Sequence, residues 1–282
     1  MTRLLFFLTL TASTYAQENQ FNDYWFNGAE ISSYKLEQAK YGKTYPGHAE
    51  LIFVTESFLL DKQVKNESNR ANATTVLKLN SLTTFNTGIY PNRTMTSTFR
   101  PMDLAKFPHA LKSVSSIQDW CGQSFQQMNY KKNGWAVELR SYFESEADKN
   151  LKLDKVHAED ELWLTLRLDP KKLPVGEIDV IPGAIYTRLY HQKIAGLPAR
   201  ASLDQTGDTS IYTLAYPGIR RTLTIYFDTK FPYLIQKWTD DTLEGTTKAI
   251  LVKRLTNTPY WNYSRPQDAE KRKQLGLDPV AN

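Results

Sequence analysis

Period-two alternation of apolar and polar residues is the feature that most limits the folds open to this chain. From Glu30 onward, about a dozen short runs alternate in this way, and turn residues separate them at regular spacing. Helices long enough to connect parallel strands are missing from the pattern. The sequence therefore predicts a mainly antiparallel all-β protein: a curved sheet, a half-barrel or a sandwich meander, with one or two short helices and a helical C-terminal tail.

The predicted strands are distributed over most of the chain. They cover residues 49–55, 75–79, 94–99, 111–120, 125–130, 135–142, 178–181, 185–194, 211–215, 222–227, 233–238 and 247–255. The Asn133-Gly134 pair separates two of these runs, and it predicts a β-hairpin because both residue types accept the positive φ of a tight turn.

Residues 157–167 depart from the strand pattern. The segment begins with acidic residues and ends with Arg167, as a helix dipole favours, but leucines then recur at every second position. We expect a short helical turn that runs into a strand. The four alternating leucines are Leu162, Leu164, Leu166 and Leu168.

The amino terminus, residues 1–16, has the order of a secretory signal peptide. A single basic residue, Arg3, precedes the apolar run 4–10, and small residues close on Ala16. We expect cleavage near Ala16 and an exported product, periplasmic or secreted; an uncleaved anchor is the alternative. Residues 17–258 then form a single β domain.

The C-terminal segment, residues 259–282, is predicted to be a polar basic tail. Residues 266–275 favour a helix, and Gly276 suits its C-terminal cap. The chain has a formal net charge of +5, but residues 17–247 contain 27 basic and 27 acidic residues, so the excess lies near the C-terminus. We therefore expect contact with an anionic envelope surface through Lys271, Arg272 and Lys273, and no nucleic-acid partner.

Histidine and cysteine offer few candidates for a metal or catalytic site. The histidines are scattered singly. His157, beside the acidic run 159–161, comes nearest to a cluster of metal ligands. We interpret that run as the solvated start of a helix and predict no structural metal and no cofactor. The single Cys121 is interpreted as a small buried apolar side chain. Serine-hydrolase, zinc-protease and phosphate-loop motifs are absent, so no catalytic residue is predicted.

Aromatic residues make up 12% of the chain. In an all-β protein they fill the interior, or they line a cavity that holds an apolar ligand or a sugar. The second interpretation predicts an apolar ligand such as a lipid. The proposed aromatic lining comprises Trp120, Trp135, Trp163 and Trp238.

Several stretches resemble a family of exported Bacteroidetes proteins of unknown function that commonly carry the label septum formation inhibitor Maf. The resemblance covers most of the chain after residue 16. The matching stretches are Tyr24–Phe26, Ala29–Leu36, Phe53–Glu56, Leu77–Asn80, Phe85–Tyr90, Gln118–Gly122, Ser141–Glu144 and Glu161–Trp163.

The Maf label implies a cytoplasmic nucleotide pyrophosphatase, but this sequence departs from that enzyme family. Maf enzymes resemble one another through a Ser-Pro-Arg-Arg type signature near the amino terminus of an α/β fold. Here that region reads as a signal peptide, and the sole Arg-Arg pair, Arg220-Arg221, lies within the β meander. We predict a non-enzymatic envelope protein; the alternatives are a periplasmic hydrolase that uses carboxylates or His157, and a structural or partner-binding module.

Overall fold

Fifteen strands form one sheet in the computed structural model, which describes residues 19–277. Most strands that follow one another in the chain are neighbours in the sheet, and the first strand also pairs with the last. The predicted signal peptide lies outside the described residues. The all-β prediction is confirmed.

The described strands range in length from 2 to 17 residues. Their bounds are β1 Ala29–Lys40, β2 Lys43–Leu59, β3 Ala73–Thr87, β4 Tyr90–Pro101, β5 Lys112–Asp119, β6 Gly122–Lys131, β7 Gly134–Ser141, β8 Lys149–Leu153, β9 His157–Ala158, β10 Gly176–Ile181, β11 Leu197–Thr206, β12 Thr209–Tyr216, β13 Arg221–Asp228, β14 Ile235–Thr242 and β15 Gly245–Thr258.

Two antiparallel meanders make up this sheet. The first contains β1 to β8 and the second β10 to β15, and antiparallel pairing of β1 with β15 joins them. The two-residue strand β9 is the one parallel addition among the described strands, and it pairs with β10. The sheet is open, because no pairing in the described range connects β8 to β9.

Helical segments are few and short. Residues 19–26 form α1, Glu159–Leu168 form α2 and Ala184–Leu189 form α3. Three-residue 3-10 turns lie at Pro170–Lys172, Pro217–Ile219 and Tyr260–Asn262, and a longer 3-10 helix lies at Pro266–Leu275. No described helix combines the length and the apolar character that a membrane span requires.

Helix α2 corrects the prediction for residues 157–167. Here a two-residue strand runs into a ten-residue helix, instead of a helical turn into a strand. All four alternating leucines are buried in the main core, which also contains Phe53 from the first meander and Phe227 from the second. A helix covered on most sides lacks a polar face, so its leucine spacing did not distinguish it from a strand.

Four further elements differ from the sequence pattern. The predicted strand at 185–194 is α3 and the turn that follows it, while β1, β8 and β11 were not among the predicted strands. Strand β8 lies at a sheet edge and has the polar sequence Lys-Asn-Leu-Lys-Leu, so it shows little apolar alternation. Strand β11 contains Pro198, which weakens a strand prediction.

The hairpin predicted at Asn133-Gly134 is confirmed. Strands β6 and β7 pair up to Lys131 and Gly134, so Lys132 and Asn133 form the turn. Of the Asn-Gly pair, only Gly134 has a positive φ, 120°. Close packing also requires glycine at position 134, because a Cβ there would lie 2.1 Å from the Leu153 carbonyl oxygen.

The C-terminal helix 266–275 packs on β1 and β15. The Ser33 hydroxyl donates a hydrogen bond to the Leu275 carbonyl oxygen, and Leu275 contacts a small apolar cluster that contains Ile31. Gly276 ends the helix at φ 67°, as the sequence predicted, and Leu277 is buried. This part of the predicted tail is therefore docked on the sheet.

Candidate functional site

A cavity of about 110 Å³ lies between helices α2 and α3 and strands of both meanders. A buried water needs roughly 10–15 Å³ by a comparable measure, so this space can hold several waters or a small organic molecule. The apolar and aromatic lining comprises Leu36, Leu79, Trp163, Ile185, Tyr186, Leu189, Tyr190, Leu223 and Trp238. The polar lining comprises Gln38, Ser81, Thr83, Thr96, Thr98, Glu159, Asp160, Arg221, Asp240 and Thr247.

Two of the four tryptophans proposed from the sequence meet in this cavity. The Trp163 ring on α2 lies 5.3 Å from the Trp238 ring on β14, at an interplanar angle of 89°. Such an edge-to-face pair forms a rigid apolar wall. Trp120 lies instead at the turn after β5 and is 69% exposed, and Trp135 is buried in a separate cluster near β8.

A buried guanidinium connects α2 to the second meander at the rim of this space. The terminal nitrogens of Arg221 donate to the two Glu159 carboxylate oxygens at 2.6 and 2.7 Å. Its Nε and one terminal nitrogen also donate to Asp240, at 2.7 and 2.9 Å. The Tyr216 hydroxyl completes the arrangement with a 2.7 Å bond to Glu159. Arg221 is therefore fully occupied by two carboxylates.

Asp160 differs from these two carboxylates, because it makes no ion pair among the described residues. One of its oxygens accepts a weak hydrogen bond from the Ser113 hydroxyl at 3.2 Å and another from the Ala184 backbone N–H at 3.4 Å. Asp160 is also one of the residues that line the cavity. Burial, together with the neighbouring charge of Glu159, raises the pKa of Asp160 to about 7.

Local sequence explains why α3 approaches these acidic side chains closely. Gly183 precedes α3, and a Cβ at that position would lie 2.6 Å from a Glu159 carboxylate oxygen. The acidic run 159–161 also occupies the first turn of α2, where the helix dipole stabilises negative charge. The run is therefore not the solvated helix start that the sequence predicted, since Glu159 and Glu161 are buried.

Glu161 is the centre of a second polar cluster, next to the cavity. One carboxylate oxygen, Oε1, lies 3.0 Å from His109 Nδ1 and 2.9 Å from His157 Nδ1. The other, Oε2, accepts from Arg100 at 3.3 Å and from the Ala110 backbone N–H at 2.5 Å. Burial alone would raise the pKa of Glu161, but the two histidine hydrogen bonds and Arg100 hold it at about 2.

A third buried cluster ties α2 to β1. The Arg167 terminal nitrogens donate to the two Glu30 oxygens at 2.7 and 2.5 Å, and the Tyr24 hydroxyl donates to the same carboxylate. The guanidinium carbon lies 4.5 Å from the Phe53 ring centre. This cluster faces the main core and carries a structural role.

The remaining predicted site residues lie on the surface. Lys271 Nζ lies 4.4 Å from the Tyr263 ring centre, and Lys273 pairs with Glu270 at 2.5 Å. The positive charge of Arg272 lowers the pKa of nearby Glu50 against the larger, raising effect of burial. Cys121 is exposed, so the prediction of a buried thiol is wrong: it lies in the tight turn between β5 and β6.

Comparison with solved structures finds a likeness in fold. The chain resembles a β-barrel-like protein of the domain of unknown function DUF1849 from Brucella abortus, with a TM-score of 0.51 and 10% sequence identity, over 81% of this chain and 98% of that chain. At this identity the likeness shows the fold alone. No protein-family model and no curated protein matches the sequence.

Proposed function

We propose that this chain is an exported, non-enzymatic protein that binds a small molecule in the cavity between α2, α3 and the two meanders. The observation that carries the proposal is the position of Asp160, a carboxylate that has no ionic partner within residues 19–277 and lines an aromatic-walled cavity. Binding pockets combine an apolar lining with a few oriented polar groups in this way.

The lining favours a ligand that is smaller and more polar than a lipid. Four charged side chains and five serine or threonine side chains face the space, alongside the tryptophan pair. An acyl chain would place hydrocarbon against Asp160, which has only two weak hydrogen bonds from the described residues, and a poorly satisfied buried polar group costs about 1–3 kcal/mol. A compound with one apolar face and several hydroxyl or amine groups can pack against the aromatic side chains and also hydrogen-bond to the polar ones.

Charge narrows the ligand class further. Arg221 is occupied by Glu159 and Asp240, so an anionic ligand would meet Asp160 without a free cation to offset it. A hydroxyl or an ammonium group can donate to Asp160 while its carbon skeleton contacts Trp163 or Trp238. We therefore propose a sugar, a polyol or a small amine as the ligand class.

A thermal-shift panel tests this proposal. The purified protein is heated with glucose, a disaccharide, glycerol, ethanolamine, choline and, as the apolar arm, palmitate. At about pH 8, above the raised pKa of Asp160, Asp160→Asn replaces a carboxylate with a neutral amide, and Asp179→Asn, at an exposed position on β10, is the matched control. We expect a polar compound to raise the melting temperature of wild type and the control, and to lose at least half of that effect in Asp160→Asn.

Two results would reject the proposal or part of it. Stabilisation by palmitate alone would overturn the polar ligand class and favour the apolar ligand predicted from the sequence. Recovery of a bound compound in chemically altered form would indicate an enzyme, with Asp160 as its acid or base.

A further inference from the structure

We infer that His109, His157 and Glu161 form a binding site for a zinc-class divalent cation, a site separate from the ligand cavity and independent of the function proposed for it. One ligand atom from each residue lies within 4.8 Å of the other two. Tetrahedral zinc places nitrogen and oxygen ligands about 2.0–2.2 Å from the metal, and hence roughly 3.3 Å from one another. The observed separations of 2.9 and 3.0 Å from Glu161 Oε1 to the two Nδ1 atoms are close to that geometry.

The two oxygens of Glu161 have different partners, which suits a metal ligand. Oε2 is held by Arg100 and by the Ala110 backbone N–H, whereas the partners of Oε1 in the described part of the chain are the two imidazoles. Outer hydrogen bonds of this kind fix the orientation of a ligating carboxylate and leave its second oxygen for the cation.

Fold topology brings the three ligands together from distant parts of the chain. His109 precedes β5 in the first meander, His157 lies in β9, and Glu161 lies one helical turn later in α2. The ring centres of His109 and His157 are 4.9 Å apart. The His109 ring also lies 4.6 Å from the Tyr130 ring, which limits its rotation.

Accessibility gives the site an entry route and an open coordination position. Glu161 is fully buried and His109 is 8% exposed, but the His157 side chain is 31% exposed. A cation can therefore reach the cluster from the His157 side, where solvent supplies the fourth ligand. A bound hydroxide or anion at that position would offset the positive charge of Arg100.

The ligand set favours zinc over magnesium or calcium. Imidazole nitrogens suit Zn²⁺, Co²⁺ and Ni²⁺, whereas calcium and magnesium require mainly oxygen ligands. Binding through both Nδ1 atoms requires each neutral imidazole to carry its proton on Nε2. Without metal, hydrogen bonding to Glu161 Oε1 requires the proton on Nδ1, so the tautomer reports occupancy.

Titration with zinc chloride tests the site directly. Calorimetry uses protein without an affinity tag and with Cys121→Ser, which removes the exposed thiol as a competing ligand. The variants are His157→Gln and His109→Gln, and His48→Gln is the control because His48 pairs with Glu50 on β2. Circular dichroism verifies that each variant is folded, and nitrogen-15 NMR of the histidine rings reports the tautomers.

We expect a single saturable zinc site in wild type and in His48→Gln, and a loss of affinity of at least about 10-fold in His157→Gln and His109→Gln. The His109 and His157 tautomers should change on zinc addition. Absence of saturable binding to wild type would overturn the inference. Equal affinity in His157→Gln and wild type, with the tautomers unchanged, would also overturn it and leave the cluster as a structural hydrogen-bond network.

Discussion

The Arg221 guanidinium on β13 holds the Glu159 carboxylate at the start of α2 through two hydrogen bonds of 2.6 and 2.7 Å. This pair fixes the first turn of α2 against the second meander. In the same turn, Arg100 on β4 donates a hydrogen bond to Glu161. Helix α2 is thereby tied to both meanders, and Asp160, which lies between Glu159 and Glu161 in the sequence, lines the cavity.

Removal of Arg221 should strongly destabilise the fold. Arg221→Met leaves Glu159 and Asp240 buried without a cation, and breaking a buried pair in this way costs about 3–5 kcal/mol. Urea unfolding measures the loss in the free energy of unfolding. Arg200→Met is the control, because the Arg200–Glu177 pair is exposed, and such pairs contribute about 0–1 kcal/mol. Equal effects of the two substitutions would contradict the assigned role.

Stability should fall with rising pH through the contribution of Glu50. Burial raises the pKa of Glu50 to about 7, although Arg272 opposes this shift. Between the usual glutamate pKa and about 7, the folded chain retains a proton that the unfolded chain has released, so deprotonation favours unfolding as pH rises. The contribution of this carboxyl is up to about 3 kcal/mol.

Comparison with Glu50→Gln isolates this pH effect. Neighbouring His48 has a lowered pKa and contributes a slope of the opposite sign, so only the difference between wild type and variant is informative. Urea unfolding at about pH 5 and about pH 8 gives that difference. We expect Glu50→Gln to be more stable than wild type at the higher pH and nearly equal to it at the lower. A pH-independent difference would show that the pKa of Glu50 is not raised.

Nucleoside triphosphates should not be substrates. The only Arg-Arg pair in the sequence includes Arg221, whose nitrogens are occupied by Glu159 and Asp240 in the folded chain. A triphosphate entering the cavity would also meet Asp160. We expect no pyrophosphate release above background when the protein is incubated with the common nucleoside triphosphates. Turnover at an enzymatic rate would instead support the activity that the Maf label implies.

The C-terminal helix should contribute to binding at an anionic surface. We propose that Lys271, Arg272 and Lys273 contact anionic headgroups, each worth about 1 kcal/mol near such a surface. The triple glutamine variant should bind vesicles containing phosphatidylglycerol more weakly than wild type. The double variant Lys131→Gln, Lys132→Gln, at exposed positions of the β6–β7 hairpin, should keep wild-type binding. Equal binding by both variants would exclude a specific role for the tail.

Strand alternation predicted the fold class well, because most strands of this sheet have one buried and one more exposed face. The prediction was wrong where that condition does not hold. Helix α2 is buried on most sides, so Leu162 to Leu168 showed no helical face, and the edge strand β8 has little apolar alternation.

The candidate site was predictable only in part. Trp163 and Trp238 were proposed as lining residues and do meet, but Asp160, which lines the same cavity, was interpreted as part of a solvated run. The hydrogen bonds that build the polar clusters join residues far apart in sequence, such as His109 with Glu161 and Glu159 with Arg221. Such contacts depend on the order of strands in the sheet, which single-sequence patterns do not contain.

Native mass spectrometry of the protein purified from its own host tests the central claim most directly. We expect wild type to carry a small polar compound, a sugar, polyol or amine, that is released on unfolding. Asp160→Asn prepared in the same way should carry at least about 10-fold less of it, since losing a hydrogen bond to a charged group costs about 1.5–3 kcal/mol. Recovery of a fatty acid or phospholipid at equal occupancy in both proteins would contradict it.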